Sequence, residues 1–254
     1  MLVFELKSQN NFFKIYRELG KGKLRKWAEM KTFQNVVEPE LKDVLKKDFE
    51  LKGKWAESFF KNQKPVSLEL GCGKGEYTLG LAESFPDRNF IGIDIKGSRI
   101  WRGAKTAINN NLSNVGFLRT RIELISSFFA GDEIEEIWIT FPDPQLKKGR
   151  SKKRLTSSAF LNSYRPFLKP DGLVHLKTDS QELFEYTKAL LIVNKMEIIW
   201  ATNDLYKETL PDKILSLKTY YEIKFLEEGK KMTYLSFKLP TNKKIVEPGA
   251  NNEG

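Results

Sequence analysis

Apolar positions are spaced unevenly along the chain. From Pro65 onward, short apolar runs of strand length alternate with longer amphipathic stretches, and glycine, proline or asparagine marks most of the changes. Read in order, the pattern predicts a strand over Pro65 to Leu70, a helix over Glu76 to Ser84 and a second strand over Asn89 to Asp94. A helix over Gly97 to Asn110, closed by an asparagine run, leads to strands at Val115 to Leu118 and Ile134 to Thr140. Thr156 to Leu168 reads as helical, kinked or ended by Pro166, which has no N–H to give. Gly172 to Lys177 is the fifth strand and Gln181 to Val193 the next helix. Met196 to Ala201 and Met232 to Leu239 are late strands that can pair at the sheet edge. Alternation of this kind predicts an α/β fold: a doubly wound, mostly parallel sheet of seven strands, with ligands at the carboxyl ends of those strands.

The ends of the chain read differently. Residues 1–64 carry 15 Lys+Arg against 9 Asp+Glu and show few turn signals after Gly22, which predicts a basic, largely helical arm or cap. Arg17 to Lys31 is dense enough in charge to bind RNA. Residues 65–240 form the main domain, and the polar tail 241–254 is expected to be disordered.

Composition narrows the partners. The formal charge of +10 over 254 residues points to a polyanion, nucleic acid first. No apolar stretch approaches the roughly 18 residues of a membrane span, and Met1 to Lys7 lacks the features of a secretory signal. With Cys72 the only cysteine and His175 the only histidine, an internal disulfide is impossible and a zinc site is not expected. A cytoplasmic location fits that cysteine usage.

The candidate chemistry sits at the predicted strand ends. The first strand runs through Glu69 into a loop with Gly71, Gly73 and Gly75, and the second ends in Asp94, about 20 residues after the loop, the spacing of a nucleotide-binding βαβ unit. Asp94 can accept two hydrogen bonds from a ribose diol. A carboxylate at Glu69 would repel a pyrophosphate but suits the sulfonium and amine of S-adenosyl-L-methionine. The fourth strand ends in Thr140-Phe141-Pro142-Asp143-Pro144, where two prolines fix the backbone around the Asp143 carboxylate. Directly after it, Lys147, Lys148, Gly149, Arg150, Ser151, Lys152, Lys153 and Arg154 hold six cations and no acid, a phosphate-binding pattern. Asp179, after the fifth strand, adds a second carboxylate at the same sheet edge. Thr219, Tyr220, Tyr221 and Glu222 supply hydroxyls and a carboxylate, although the same string is also a helix start. Cys72 reads as a small packing residue inside the loop and His175 as a core or sheet-face residue.

From about Pro65 to about Phe237 these segments resemble, in order and spacing, the bacterial tRNA (guanine-N7-)-methyltransferases, a class I S-adenosyl-L-methionine-dependent family with a Rossmann-like sheet. The specific part is Phe-Pro-Asp-Pro with the Lys/Arg cluster and Arg154-Leu155, then Thr178-Asp179, then Thr219-x-x-Glu222; the glycine loop is generic to methyltransferases. The resemblance implies methyl transfer to N7 of a guanosine in the tRNA variable loop. It implies that Glu69, Gly71, Gly73 and Gly75 hold the methionine end of the cofactor and Asp94 the ribose. Asp143 takes the catalytic position, Lys147 and Asp179 touch substrate, residues 149–154 contact RNA, and Thr219 to Glu222 complete the guanosine pocket. Two departures stand out. Arg121 occupies a position near the adenine that is usually acidic, with Glu123 two residues on, so backbone groups or Glu123 take that contact. Gln145-Leu146 replaces the usual Trp-His or Trp-Pro. Two other readings remain: methylation of an exocyclic amine, whose strand-four motif has a different order, and an RNA-binding protein without catalysis. A small-molecule methyltransferase leaves the basic cluster unexplained. Oligomeric state is open between monomer and homodimer.

Overall fold

A computed structural model describes residues 22, 24–45, 47–240 and 242–249. Eight strands form one sheet: β1 (Val36–Val37), β2 (Val66–Leu70), β3 (Asn89–Asp94), β4 (Val115–Arg119), β5 (Ile134–Thr140), β6 (Leu168–Thr178), β7 (Ile198–Thr202) and β8 (Thr233–Lys238). Their order across the sheet is β1-β4-β3-β2-β5-β6-β8-β7. The first six are parallel, and β8 runs antiparallel between β6 and β7. The chain reverses its direction of travel across the sheet between β2 and β5, so the carboxyl ends of these two strands open a crevice there.

Both sheet faces are covered. Val66, Leu68 and Leu70 of β2, Ile91 and Ile93 of β3, and Val174 and Leu176 of β6 point into one core with Leu161 of α5 (Ser158–Tyr164) and Leu183 and Leu190 of α6 (Gln181–Val193). On the other face Tyr77 and Leu81 of α3 (Glu76–Ser84) and Ile100 and Ala104 of α4 (Gly97–Asn109) pack with Phe90, Phe117 and Trp138. The period of two along each strand therefore sends Glu69, Trp138 and His175 to the α3/α4 face.

Several expectations change in detail. An eighth strand, β1, comes from the basic arm: only two residues pair with β4, too few to show as a pattern in sequence. The rest of the described arm is a helix over 24–30 (α1), the single turn α2 (Leu41–Val44) and a π-turn at Trp55–Phe59, packed against the main domain rather than largely helical. Residues 17–21 and 23 of the basic stretch lie outside the described residues. The helix expected over Thr156 to Leu168 shortens to α5, because the chain breaks ahead of Pro166. The tail is not uniformly disordered. Ile245 is buried, Asn162 exchanges a pair of hydrogen bonds with the Ile245 backbone and Asn194 with that of Val246, and Glu247 accepts from Ser158 N–H and Tyr186 O–H. Residues 241 and 250–254 lie outside the described residues.

Candidate active site

The loop between β2 and α3 is built on left-handed glycines. Gly71, Gly73 and Gly75 have φ of 76°, 58° and 73°, a region that L side chains avoid. At Gly75 space is closed as well, since a Cβ would lie 2.6 Å from the buried Phe117 ring. The N–H groups of Gly71 and Cys72 donate to the Ile93 carbonyl, which ties the loop to the end of β3. Asp94 completes that tie: its Oδ2 accepts from Gly73 N–H at 3.0 Å and its Oδ1 from Lys96 N–H at 2.7 Å. Each oxygen keeps a further lone pair.

Glu69 lies beneath this loop and is 3% exposed. Thr78 donates to Oε2 from both its N–H, at 2.8 Å, and its hydroxyl, and Thr140 donates to Oε1 at 2.6 Å. Burial nevertheless raises its pKa to about 7, with nearby Asp94 adding to the rise and the threonine hydrogen bonds opposing it. The site therefore holds a carboxyl poised to gain a negative charge when a cation arrives.

Two cavities meet at Gly71, Arg99 and Phe141. The smaller, of about 80 Å³, is bordered by Glu69, Tyr77, Thr140, Thr219 and Tyr221. The larger, of about 640 Å³, has Asp94, Lys96, Arg121 and Glu123 on one side and Pro142, Asp143, Gln145 and Lys153 on the other. Arg121 and Glu123 are mostly exposed and stand 4.0 Å apart, so an acid is present at this wall, two residues beyond the usual place.

Asp143 is exposed at the cavity edge, and its Oδ1 accepts from Gln145 N–H at 3.0 Å. The segment around it is strained. Phe141 and Gln145 have φ of 47° and 49° and bracket Pro142-Asp143-Pro144, at a cost of about 1–2 kcal/mol each. Two anchors hold it: Phe141 N–H donates to the Lys177 carbonyl at 2.8 Å, and the Pro144 carbonyl accepts from Arg154 Nε at 3.0 Å.

That second anchor corrects the expected role of Arg154. It is 7% exposed, bonds Glu182 at 2.7 Å and lies over the Tyr186 ring, so it braces the Asp143 segment against α6 instead of standing exposed with the other cations. Lys147, Gly149, Arg150, Lys152 and Lys153 are exposed, and Ser151 is half-buried, on a 3-10 turn over Lys148–Lys153; the Lys148 side chain lies outside the described residues.

Asp179 borders neither cavity and pairs with Lys230 at 3.1 Å. Glu222, expected to complete a guanosine pocket, borders neither cavity. Thr219 and Glu222 form the capping box that starts α7 (Tyr220–Glu227), and the Glu222 carboxylate turns inward, fully buried. There it meets Lys177 at 2.8 Å and the Tyr206 hydroxyl. Lys177 also donates to the carbonyls of Leu215 and Leu217 at 3.0 and 2.9 Å. Burial lowers the pKa of Lys177, and Glu222 partly restores it. Tyr220 is outside, its N–H bonded to Glu76 and its ring under Lys74. His175 is stacked on Trp138 and bonded to Tyr234, with burial depressing its pKa to about 3. Cys72 is buried, and burial pushes its thiol well up.

Sequence reasoning missed Thr78, Thr140, Lys177 and Arg99. The first two anchor Glu69, Lys177 anchors the Asp143 segment and α7, and Arg99 borders both cavities. The one visible signal was Lys177 itself, a cation directly after the strand-like run from Leu173 to Leu176.

Comparison with known proteins gives the family and the fold. Residues 63–235 match the family model Methyltransf_4, described as "Putative methyltransferase". The tRNA (guanine-N(7)-)-methyltransferase of Christiangramia forsetii is 54% identical over 221 residues, covering 87% of this chain and 99% of that one. The enzyme of the same name from Bacteroides thetaiotaomicron is 50% identical over 235 residues, covering 92% of each. Among solved structures, the 16S rRNA methyltransferase KamB superposes with a TM-score of 0.54 at 16% identity, covering 70% of this chain and 89% of that one. An antibiotic-related methyltransferase gives 0.52 at 20% identity, covering 70% and 88%. Those two likenesses bear on the fold alone. The sequence relatives span nearly the whole chain, glycine loop and Phe-Pro-Asp-Pro segment included, and on that ground the chain belongs to the tRNA (guanine-N(7)-)-methyltransferase family.

Proposed function

We propose that this chain methylates N7 of a guanosine in the tRNA variable loop, with S-adenosyl-L-methionine as donor and the cytoplasm as its place of work. The observation that carries the reading is the pair of joined cavities, with Glu69 and Asp94 at one end and Asp143 and Lys153 at the other. The donor set fits the cofactor. Left-handed glycines bring backbone close, Asp94 has free lone pairs for two ribose hydroxyls, and Glu69 ionises toward a cation. Bound there, the cofactor supplies an electrophilic methyl group.

The protein's share is positioning. Guanine N7 carries an in-plane lone pair at neutral pH, so no general base is needed, and rate comes from holding it in line with the methyl group, roughly 3 Å away. Asp143 accepts from the base's N–H groups and offsets the positive charge that grows on the ring. The strained, doubly anchored backbone at Phe141 to Gln145 fixes that carboxylate before substrate arrives. Asp179, outside both cavities, contacts substrate beyond the cavity mouth once Lys230 exchanges it for a phosphate, an inexpensive swap for a partly exposed pair. The exposed cations from Lys147 to Lys153 take the RNA backbone. Thr219 and Tyr221 border the smaller cavity, while Glu222 acts from behind, by seating the cap of α7.

The test is incubation of the purified protein with labelled S-adenosyl-L-methionine and unmodified total tRNA, with the modified nucleoside identified by mass spectrometry. The expected product is 7-methylguanosine. Asp143→Ala should reduce transfer far more than cofactor binding, and equal loss of both would remove Asp143 from the catalytic position.

A further inference from the structure

Helix α4 carries Arg99, Arg102 and Lys105 at intervals of three, hence on one face, and has no acidic residue along its length. Lys96 precedes it. The basic run from Lys147 to Lys153 leaves the cavity on one side, at Lys153; Lys96 and Arg99 border the same cavity from another element. Arg102 is exposed one turn further along α4, and neither Arg99 nor Arg102 pairs with a carboxylate among the described residues. Helix α1 lies against this face. Glu29 bridges the two, accepting from Lys105 at 2.6 Å and from the Trp101 indole at 3.0 Å, while Lys26 sits 4.6 Å from the Trp101 ring centre. Lys105, the Trp101 N–H and nearby Arg25 all hold the Glu29 carboxyl below its usual range, so the bridge stays ionised. That bridge commits both Glu29 oxygens to Lys105 and Trp101, and the exposed Arg25 and Arg102 make no carboxylate ion pair among the described residues.

We infer that the outer face of α4, extended by Arg25 of α1, is a second binding surface for the tRNA phosphate backbone, entered from the cavity through Lys96 and Arg99. The inference rests on the reading above that the substrate is tRNA, and it adds a surface that the basic run does not supply. Guanidiniums without carboxylate partners suit phosphates, which they bind in forked pairs at little desolvation cost at the surface. With cations on two elements around one cavity, an RNA strand crossing the mouth is held on both flanks of the target base. Holding the flanks limits the ways that base can sit, so the face contributes to register as well as affinity.

The experiment is a salt titration of tRNA binding for the full chain and for Arg25→Gln/Arg102→Gln. Loss of two phosphate contacts is expected to weaken binding roughly 10–30-fold near 0.15 M salt and to flatten the log–log salt slope by about 1.5. KM for tRNA rises in parallel, and cofactor affinity stays constant. Arg102→Glu alone, a second variant at a fully outward position, should weaken binding further per site. Lys64→Glu, exposed just before the amino end of β2 and so at the opposite sheet edge, is the control for net charge and should change little. An unchanged slope in the double variant, or an equal loss in Lys64→Glu, overturns the assignment. If the unaltered chain neither binds nor methylates tRNA, the parent reading fails instead, and the two failures are distinct.

Discussion

Replacing Glu69 by glutamine should make the protein more stable and a worse enzyme, and the two effects have one cause. Burial raises the Glu69 carboxyl from 4.5 to about 7. Below about 4.5 the folded and unfolded chains both hold its proton, and its contribution to stability is complete. Between about 4.5 and 7 the unfolded chain releases the proton while the folded chain keeps it, so stability falls as pH rises, by up to about 1.4 kcal/mol per pH unit. Above 7 the folded chain ionises too and the loss levels off at roughly 3 kcal/mol. Glutamine keeps the shape: its oxygen can accept from Thr78 and its amide can donate to the Thr140 hydroxyl. Without cofactor, Glu69→Gln should therefore gain little at pH 5 and roughly 2–3 kcal/mol at pH 8. For a domain of this size that raises the midpoint by about 5–10 °C, readable by scanning calorimetry at both pH values. Cofactor affinity moves the other way. A cation beside Glu69 draws its proton off, so binding to the unaltered protein should strengthen about tenfold per pH unit up to 7 and then flatten. The cofactor's own amine titrates near pH 8, about where an α-amino group does. The glutamine variant shares that titration but lacks the carboxyl, which makes it the reference. Equal stability of the two proteins at pH 8, or parallel pH profiles for cofactor binding, would refute the argument.

Three other outcomes follow from the same contacts. Arg154→Ala frees the Pro144 carbonyl and should lower kcat on the order of 10–100-fold through misplacement of Asp143, whereas Lys153→Ala should chiefly weaken tRNA binding and flatten its salt slope by about 0.8; steady-state kinetics at two salt concentrations separate them. Glu222→Ala strands the Lys177 ammonium and should destabilise by about 3–5 kcal/mol, while Lys177→Met/Glu222→Leu recovers most of that loss in urea unfolding. Gly75→Ala combines a left-handed backbone with a Cβ pressed on Phe117, and should cost about 2–4 kcal/mol in the same assay and abolish cofactor binding in a direct titration.

Sequence was most legible where local signals agreed with tertiary ones. The strands over Asn89–Asp94 and Ile134–Thr140 and the helices over Glu76–Ser84 and Gln181–Val193 come out at their expected bounds, with Pro86, Pro142 and Asn194 closing three of the four. The carboxyl-end location of Glu69, Asp94 and Asp143 follows from those bounds. What sequence could not supply was direction. Arg154 looks like one more cation in a basic run, and only the packing of α6 shows that it turns inward to Glu182. Glu222 sits in a motif beside two exposed tyrosines, yet helix geometry sends its side chain under the cap while theirs stay outside. Both are charges whose partners are distant in the chain, 28 and 45 residues away, so no local pattern announces them.

The arrangement sorts charge by depth. Glu69 is buried, Asp94 is nearly so, and Asp143 reaches the cavity edge; the cations from Lys147 to Lys153 and those of α4 stand outside them. A polyanion thus meets its complementary charge at the rim, while a small cationic ligand must pass that rim to reach the carboxylates beneath it. The depths also set how salt acts. Exposed cations are screened over about 8–10 Å at ordinary ionic strength, while a charge under the glycine loop is screened far less. RNA binding is therefore the tunable step and the inner site the constant one. That division explains why the chain tolerates Arg121 at the wall of the larger cavity: at 67% exposure the guanidinium is solvated and can turn away, and the rim gains one more cation. The same substitution at Glu69 or Asp94 would place a buried cation against a cationic ligand, and no reorientation could relieve it.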